Sequence, residues 1–194
     1  MIAESWELLD RFKDYGNPRT KLARAVKSGQ WTPIRRGLYV DDLRMNPLIL
    51  ASVIYGPSYI SFQKALEWHS LIPERVPVIT CATYGKNRNK KFLTPLGTYT
   101  YTDIPSGAYP MGVDALQDGE FHFLMATPAK ALCDLVCKAP PLGSLSHIAD
   151  LLLEDWRMEE SDLQNIPPQD VEDLAPLYKK NNLALLVRFI RSLA

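Results

Sequence analysis

The chain has 194 residues, 46% of them apolar, and its 22 basic and 22 acidic residues cancel to a formal net charge of zero. That size and composition support one large domain, or one domain with a small appendage, around a sizeable core. They leave a nucleic-acid partner neither favoured nor excluded. No run approaches the ~18–20 apolar residues a membrane span needs, so no membrane partner is expected. Three cysteines, an odd and low number, suit a reducing compartment. The opening residues carry Glu4, Glu7 and Asp10 and no long apolar run, so no secretory signal is expected and the cytoplasm is the expected location.

In chain order, residues 3–15 place Trp6, Leu8, Leu9 and Phe12 at helical spacing. Asn17 and Pro18 read as the cap and first position of a second helix, which Gly29 ends. On a wheel of about 100° per residue, Ala25 and Val26 fall within about 60° of Leu22. Thr20, Lys21, Arg24, Lys27 and Ser28 fall on the opposite side, which makes the wet face cationic. "GQWTPIRRGLYV" (29–40) reads as a hairpin turning at Arg35, Arg36 and Gly37. A polar junction follows, then a helix from Pro47 to Tyr55 capped by Asn46, and another after Ser61, which is expected to cap it. Residues 76–83 and 91–104 are strand material, the second bending into a hairpin at "TPLG". The loop "YGKNRNKK" joins them. Residues 120–126 are a further strand. Thr127 and Pro128 open a helix over "TPAKALCDLVCK". "SLSHIADLLLEDW", "PPQDVEDLAPLYKK" (broken at Pro176) and residues 182–194 are helices. The fold class expected is α+β, a small N-terminal unit (1–42) packed on a mixed domain (43–194) with a mostly antiparallel sheet flanked by helices.

The balanced total charge hides a segregated distribution. Between Asn17 and Val40 stand six basic residues and no acid: Arg19, Lys21, Arg24, Lys27, Arg35 and Arg36. From Glu154 to Asp173 there are eight acids and one base, Arg157. A basic helix followed by a basic hairpin is a known way to set cations against a DNA backbone, the helix in the major groove and the hairpin on the phosphates. The bland reading is a solvated helix beside an ordinary turn. Lys86, Arg88, Lys90 and Lys91 form a possible second basic surface, for nucleic acid or for an acidic partner, although charged hairpin loops are common. The acidic stretch is either a solvated surface or a docking face for a basic partner.

Enzymatic signals are sparse. Ser61 and Lys64 have the S-x-x-K spacing of serine acyl-enzymes, but no K-T-G or S-D-N element follows in a matching place. Cys133 and Cys137 lie four apart on one helix, and His69, His122 and His147 have no ligand-like spacing to them. The cysteines read as small buried apolar side chains. No phosphate-binding glycine loop, nucleophile elbow or paired-carboxylate motif is present. No catalytic residue, metal or cofactor is assigned, and an enzyme is not expected.

Four blocks carry a resemblance: "KLARAVKSGQWTPIRRGLYV", "IYGPSYISFQKALEWHSLIPERV", "TPLGTYTYTDIP" and "ATPAKALCDLV". In order and spacing they resemble the AbiEi-type antitoxin and transcriptional-regulator family, over residues 21 to about 137. The resemblance implies an N-terminal winged-helix unit, a C-terminal antitoxin domain, and binding to promoter DNA of the protein's own operon. It also implies a functional partner, a nucleotidyltransferase-type toxin countered in a type IV system without a required stable complex. It makes Arg24, Lys27, Arg35 and Arg36 DNA-contact candidates, with Gly37 and Tyr39 shaping the wing. Tyr59, Ser61, Ala65, Leu66, Pro128, Lys130, Ala131, Leu132 and Asp134 match the second-domain blocks, where they read mostly as caps and core. The N-terminal unit here is shorter than a full winged helix, and the second domain is compact. The alternative reading is a protein-interaction module, binding a toxin or another factor with no DNA role.

Overall fold

The computed structural model describes residues 1–193. The chain opens with β1 (Ile2–Glu4), α1 (Ser5–Arg11), α2 (Pro18–Lys27), β2 (Thr32–Arg35) and β3 (Leu38–Val40). These strands pair antiparallel in the order β1-β3-β2, with Val40 lying opposite both Ile2 and Thr32. The helix expected from residue 3 starts later. Ile2–Glu4 instead extends the hairpin, because backbone pairing with β3 satisfies groups that an early helical turn leaves open. Pro33 sits on the outer strand β2, where its missing N–H leaves no gap in the ladder. Gly37 closes the hairpin at φ +86°, a backbone setting that glycine adopts without penalty.

Strand alternation places this small sheet between two cores. On one face, Ala3 and Trp31 join Leu8, Leu22 and Ala25 of the two helices in a satellite cluster. On the other, Ile34, Leu38 and Val40 belong to the main core. Each such buried side chain contributes roughly 1.5–3 kcal/mol, so the unit is seated on the rest of the chain, as expected of a unit this small.

The second part begins with a 3-10 turn at Pro47–Leu50, capped by Asn46, whose Oδ1 accepts from the Leu48 N–H at 3.0 Å. It runs on into α3 (Ala51–Ile54). Then come β4 (Ser58–Ile60), α4 (Phe62–Trp68), β5 (Val78–Thr83), β6 (Lys90–Thr94), β7 (Gly97–Asp103), β8 (Val113–Asp118) and β9 (Phe121–Ala126). The helices α5 (Pro128–Lys138), α6 (Leu145–Ala149), α7 (Glu160–Gln164), α8 (Pro168–Leu174) and α9 (Asn181–Leu193) follow. A π-helical turn, Asp150–Asp155, prolongs α6, and a 3-10 turn, Ala175–Tyr178, prolongs α8 near the break expected at Pro176.

The six strands order as β6-β7-β5-β4-β9-β8. Pairs β5–β7 and β4–β9 are parallel and the rest antiparallel. The fold is α+β, with a mixed, mostly antiparallel sheet flanked by helices. Helix α5 is its keystone: every residue from Ala129 to Cys137 is buried. Cys81, Cys133 and Cys137 are buried free thiols within the main core. Among the described residues, no helix is long and apolar enough to cross a membrane.

One expected cap is replaced. Ser61 stands at the N-cap of α4 but makes no capping bond. The Thr80 hydroxyl of β5 does it, donating to the Ser61 carbonyl at 2.6 Å and accepting from the Lys64 N–H at 3.0 Å. Ser61 is drawn elsewhere because its Oγ points to a buried carboxylate, Asp134, at 2.6 Å.

Candidate nucleic-acid interface

Helix α2 is built as its sequence requires. Asn17 Oδ1 accepts from the Thr20 N–H at 3.1 Å, and Pro18 opens the first turn. Leu22 and Ala25 are buried, whereas Arg19, Arg24 and Lys27 are not paired into the core and face outward. Lys21 is half-buried, with Nζ 4.5 Å from the Tyr15 ring centre. Among the described residues none of these four cations has an acidic partner within ion-pair distance. This face therefore carries positive charge that no carboxylate among the described residues offsets directly.

The two hairpin arginines part company. Arg36 is exposed at the turn. Arg35 turns inward: Nη1 donates to the Arg36 carbonyl at 3.0 Å, and Nη2 reaches Glu4 Oε1 at 3.4 Å and the Val53 carbonyl at 3.3 Å. Its Nε is buried and has no hydrogen-bond partner among the described residues. Arg35 thus joins β1, the hairpin and α3, and leaves Arg36 as the projecting cation of the pair.

Beside the hairpin tip lies an open cleft of ≈ 440 Å³, lined by Arg35, Arg36, Val53, Tyr55, Gly56 and Phe92 among others. The second basic segment reaches two of its lining residues, Tyr55 and Gly56, through Lys86. The Lys86 and Asn87 N–H groups both donate to Asp103 Oδ2, at 2.7 and 2.5 Å, which anchors the loop to the end of β7. Lys86 Nζ donates to the Gly56 carbonyl at 3.1 Å and lies 5.1 Å from the Tyr55 ring centre. Arg88 and Lys91 are exposed, and Lys90 is half-buried at the start of β6. Strand β6 lies against β2. The structure thus lines one cleft with the Arg35–Arg36 tip and brings Lys86 of the 86–91 loop against two of its residues, while the cations of α2 do not line it. Tyr55 and Phe92, with ring centres 5.8 Å apart, give the cleft an aromatic side that charge alone does not reveal.

The residues shared with the second-domain blocks gather in a different place, inside the protein. Asp134 accepts from Tyr59 Oη at 2.8 Å, Ser61 Oγ at 2.6 Å and Tyr178 Oη at 2.5 Å. Lys130, one helical turn before it, donates to Tyr178 Oη and to the Ala108 carbonyl, both at 2.6 Å, and lies 3.4 Å from Asp134 Oδ1. Lys130 and Asp134 are fully buried. Burial pulls the Lys130 amine down from its ordinary range, with Asp134 opposing, and pushes the Tyr59 and Tyr178 hydroxyls far up. Every charge in this cluster meets an opposite charge or hydrogen-bonding group, the condition under which burying ions is tolerable. Tyr178 carries no sequence signal, because it stands just after the break at Pro176 in a segment that reads only as helix.

The S-x-x-K pair is not assembled. Ser61 is buried against Asp134, and Lys64 Nζ is held by Glu67 at 2.7 Å and the Val76 carbonyl at 3.1 Å. Among the described residues, no group of three His, Cys, Asp or Glu side chains is placed to hold a metal ion. Most of the acidic residues from Glu154 to Asp173 are exposed, while Leu163, Ile166 and Val171 turn inward. No protein-family model matches the chain, and no curated protein matches it.

Proposed function

We propose that the protein is a DNA-binding antitoxin and transcriptional autorepressor of the AbiEi type, acting in a type IV system against a nucleotidyltransferase-type toxin. The supporting observation is the strand-helix-helix-strand-strand unit of residues 2–40, whose outer helix and turn carry Arg24, Lys27 and Arg36 without acidic partners among the described residues. An α-helix fits the major groove, and a hairpin beside it reaches the flanking phosphates. No step of this activity calls for a catalytic group or a cofactor.

A promoter-reporter assay with a growth assay tests both halves. Arg24→Glu with Lys27→Glu and Arg36→Glu should release repression of the protein's own promoter while the chain stays folded. Co-expression should restore growth of cells poisoned by a nucleotidyltransferase encoded beside the gene. Repression that survives the triple charge reversal would remove the DNA half. Growth arrest that persists beside an expressed, folded chain would remove the antitoxin half.

A further inference from the structure

On the side of the molecule built from α8 and α9, the turn at Ala175–Tyr178 and the outer face of α9 enclose a groove of ≈ 640 Å³. Its floor is aliphatic and small: Pro176, Ala184 and Val187. Its rim is cationic: Lys179, Lys180 and Arg188, none of them ion-paired among the described residues. Arg191 closes one end and is already bonded to Glu172. The inward side of α9 supplies Leu183, Leu186, Phe189 and Ile190 to the core, and Val187 packs at its edge, while Ala184 and Arg188 face outward. From Lys180 the groove-lining stripe recurs at Ala184, Val187 and Arg188, and Arg191, the i, i+4, i+7 order of a helix face. It runs for about 16 Å, or three turns.

We infer that this groove docks an acidic amphipathic helix of a partner protein. Such a helix fits both features at once. Its apolar face lies on the aliphatic floor, and its carboxylates meet the three cations of the rim. Ala184 has no side chain beyond Cβ, so a partner helix can approach α9 closely. A nucleic-acid strand fits less well, because the floor offers no aromatic ring for a base to stack on. The surface is separate from α2, the hairpin and the 86–91 loop, so this inference stands whether or not the DNA reading does.

The test is a titration of the ¹⁵N-labelled full chain, followed by heteronuclear NMR. The probe is a synthetic helical peptide with leucines along one face and glutamates on the other. Its glutamate-to-lysine counterpart and a random-sequence DNA duplex serve as comparators. The acidic peptide should shift the amide signals between Lys179 and Arg191, and salt should weaken it. Lys180→Glu with Arg188→Glu should lower affinity roughly tenfold or more, the range expected when charge pairs are removed from an interface. Ala184→Trp fills the floor without changing charge and should abolish binding. Arg36→Glu, on the other surface, should leave it unchanged. A melting curve for each variant reports folding, and the charge-reversal pair decides the question if the tryptophan variant does not fold. Shifts confined to α2 or residues 86–91, equal binding of the lysine counterpart, or displacement of the peptide by the duplex would each overturn the inference. So would self-association that Ala184→Trp removes, since the occupant would then be a second copy of the chain.

Discussion

In the interior, Asp134 is met by Tyr59, Ser61 and Tyr178 and faced by Lys130, so that each buried charge has its partners. On the surface of residues 17–40, Arg24, Lys27 and Arg36 have no carboxylate within ion-pair distance among the described residues. The first region has finished its electrostatics within the fold. The second carries charge that only solvent, counterions or a partner can answer. Loss of one member of the first should therefore appear as instability, and loss of one member of the second as altered binding with the fold intact.

The largest expected effect of pH comes from the buried tyrosines. Burial holds the hydroxyls of Tyr59, Tyr99, Tyr101 and Tyr178 protonated well above the ordinary tyrosine range. Above pH of about 10 the unfolded chain sheds those protons and the folded chain keeps them, so stability falls as pH rises. Each such tyrosine removes about 1.4 kcal/mol per pH unit. Lys130 acts in the opposite sense. Its lowered value lets the folded chain lose a proton first, so its contribution rises with pH up to the ordinary lysine value near about 10.4. One lysine does not offset four tyrosines, and urea unfolding between pH of about 8 and about 11 should show a net steep loss above about 10.

Next is Asp134→Ala, which leaves Lys130 buried without its counter-charge and should destabilise the chain by about 3–5 kcal/mol in urea unfolding at neutral pH. Lys130→Met combined with Asp134→Leu should lose less than that single change, because no buried ion is left alone. A third experiment divides the hairpin arginines. Arg35→Ala should lower the melting temperature, since it removes the link from Glu4 to Val53, and Arg36→Ala should leave it unmoved. Smaller again is Thr80→Val, which removes the cap of α4 and should cost about 1 kcal/mol in thermal unfolding. The smallest effect belongs to an exposed pair. The Arg44 guanidinium holds the Asp42 carboxyl down at about 2. Arg44→Ala should return it toward the ordinary aspartate value in an NMR titration, with no measurable change in melting.

Local chemistry explains which elements were legible. The 29–40 hairpin follows from alternating apolar residues around Gly37, and α5 from the Thr127–Pro128 start, whose hydroxyl accepts from the Lys130 N–H. The hairpin of β6 and β7 turns at "TPLG" as its residues require. What stayed hidden depends on partners far along the chain. Strand β1 exists because Ile2–Glu4 pairs with residues near position 40. Strand β8 carries Asp114, Gln117 and Asp118 on a sheet edge and so lacks the apolar alternation of a buried strand. The cap of α4 comes from Thr80 in place of Ser61, and α7 is a short helix inside an acidic run. The same holds for the sites. The cations of α2 could be read from their spacing alone. The cleft, the inward turn of Arg35 and the Asp134 cluster needed residues such as Arg35 and Phe92, or Tyr59 and Tyr178, to be brought together by the fold.

The most direct test of the central claim is fluorescence anisotropy of the purified protein with the duplex upstream of its own gene and a scrambled duplex, at low and physiological salt. DNA binding of the kind proposed predicts tight association that prefers the upstream duplex and weakens steeply with salt. The log–log slope should fall by about 0.9 for each phosphate left unneutralised in Arg24→Glu, Lys27→Glu or Arg36→Glu. Equal, weak binding to both duplexes, unchanged by those substitutions, would contradict it and leave the exposed cations of residues 17–40 as an ordinary solvated face.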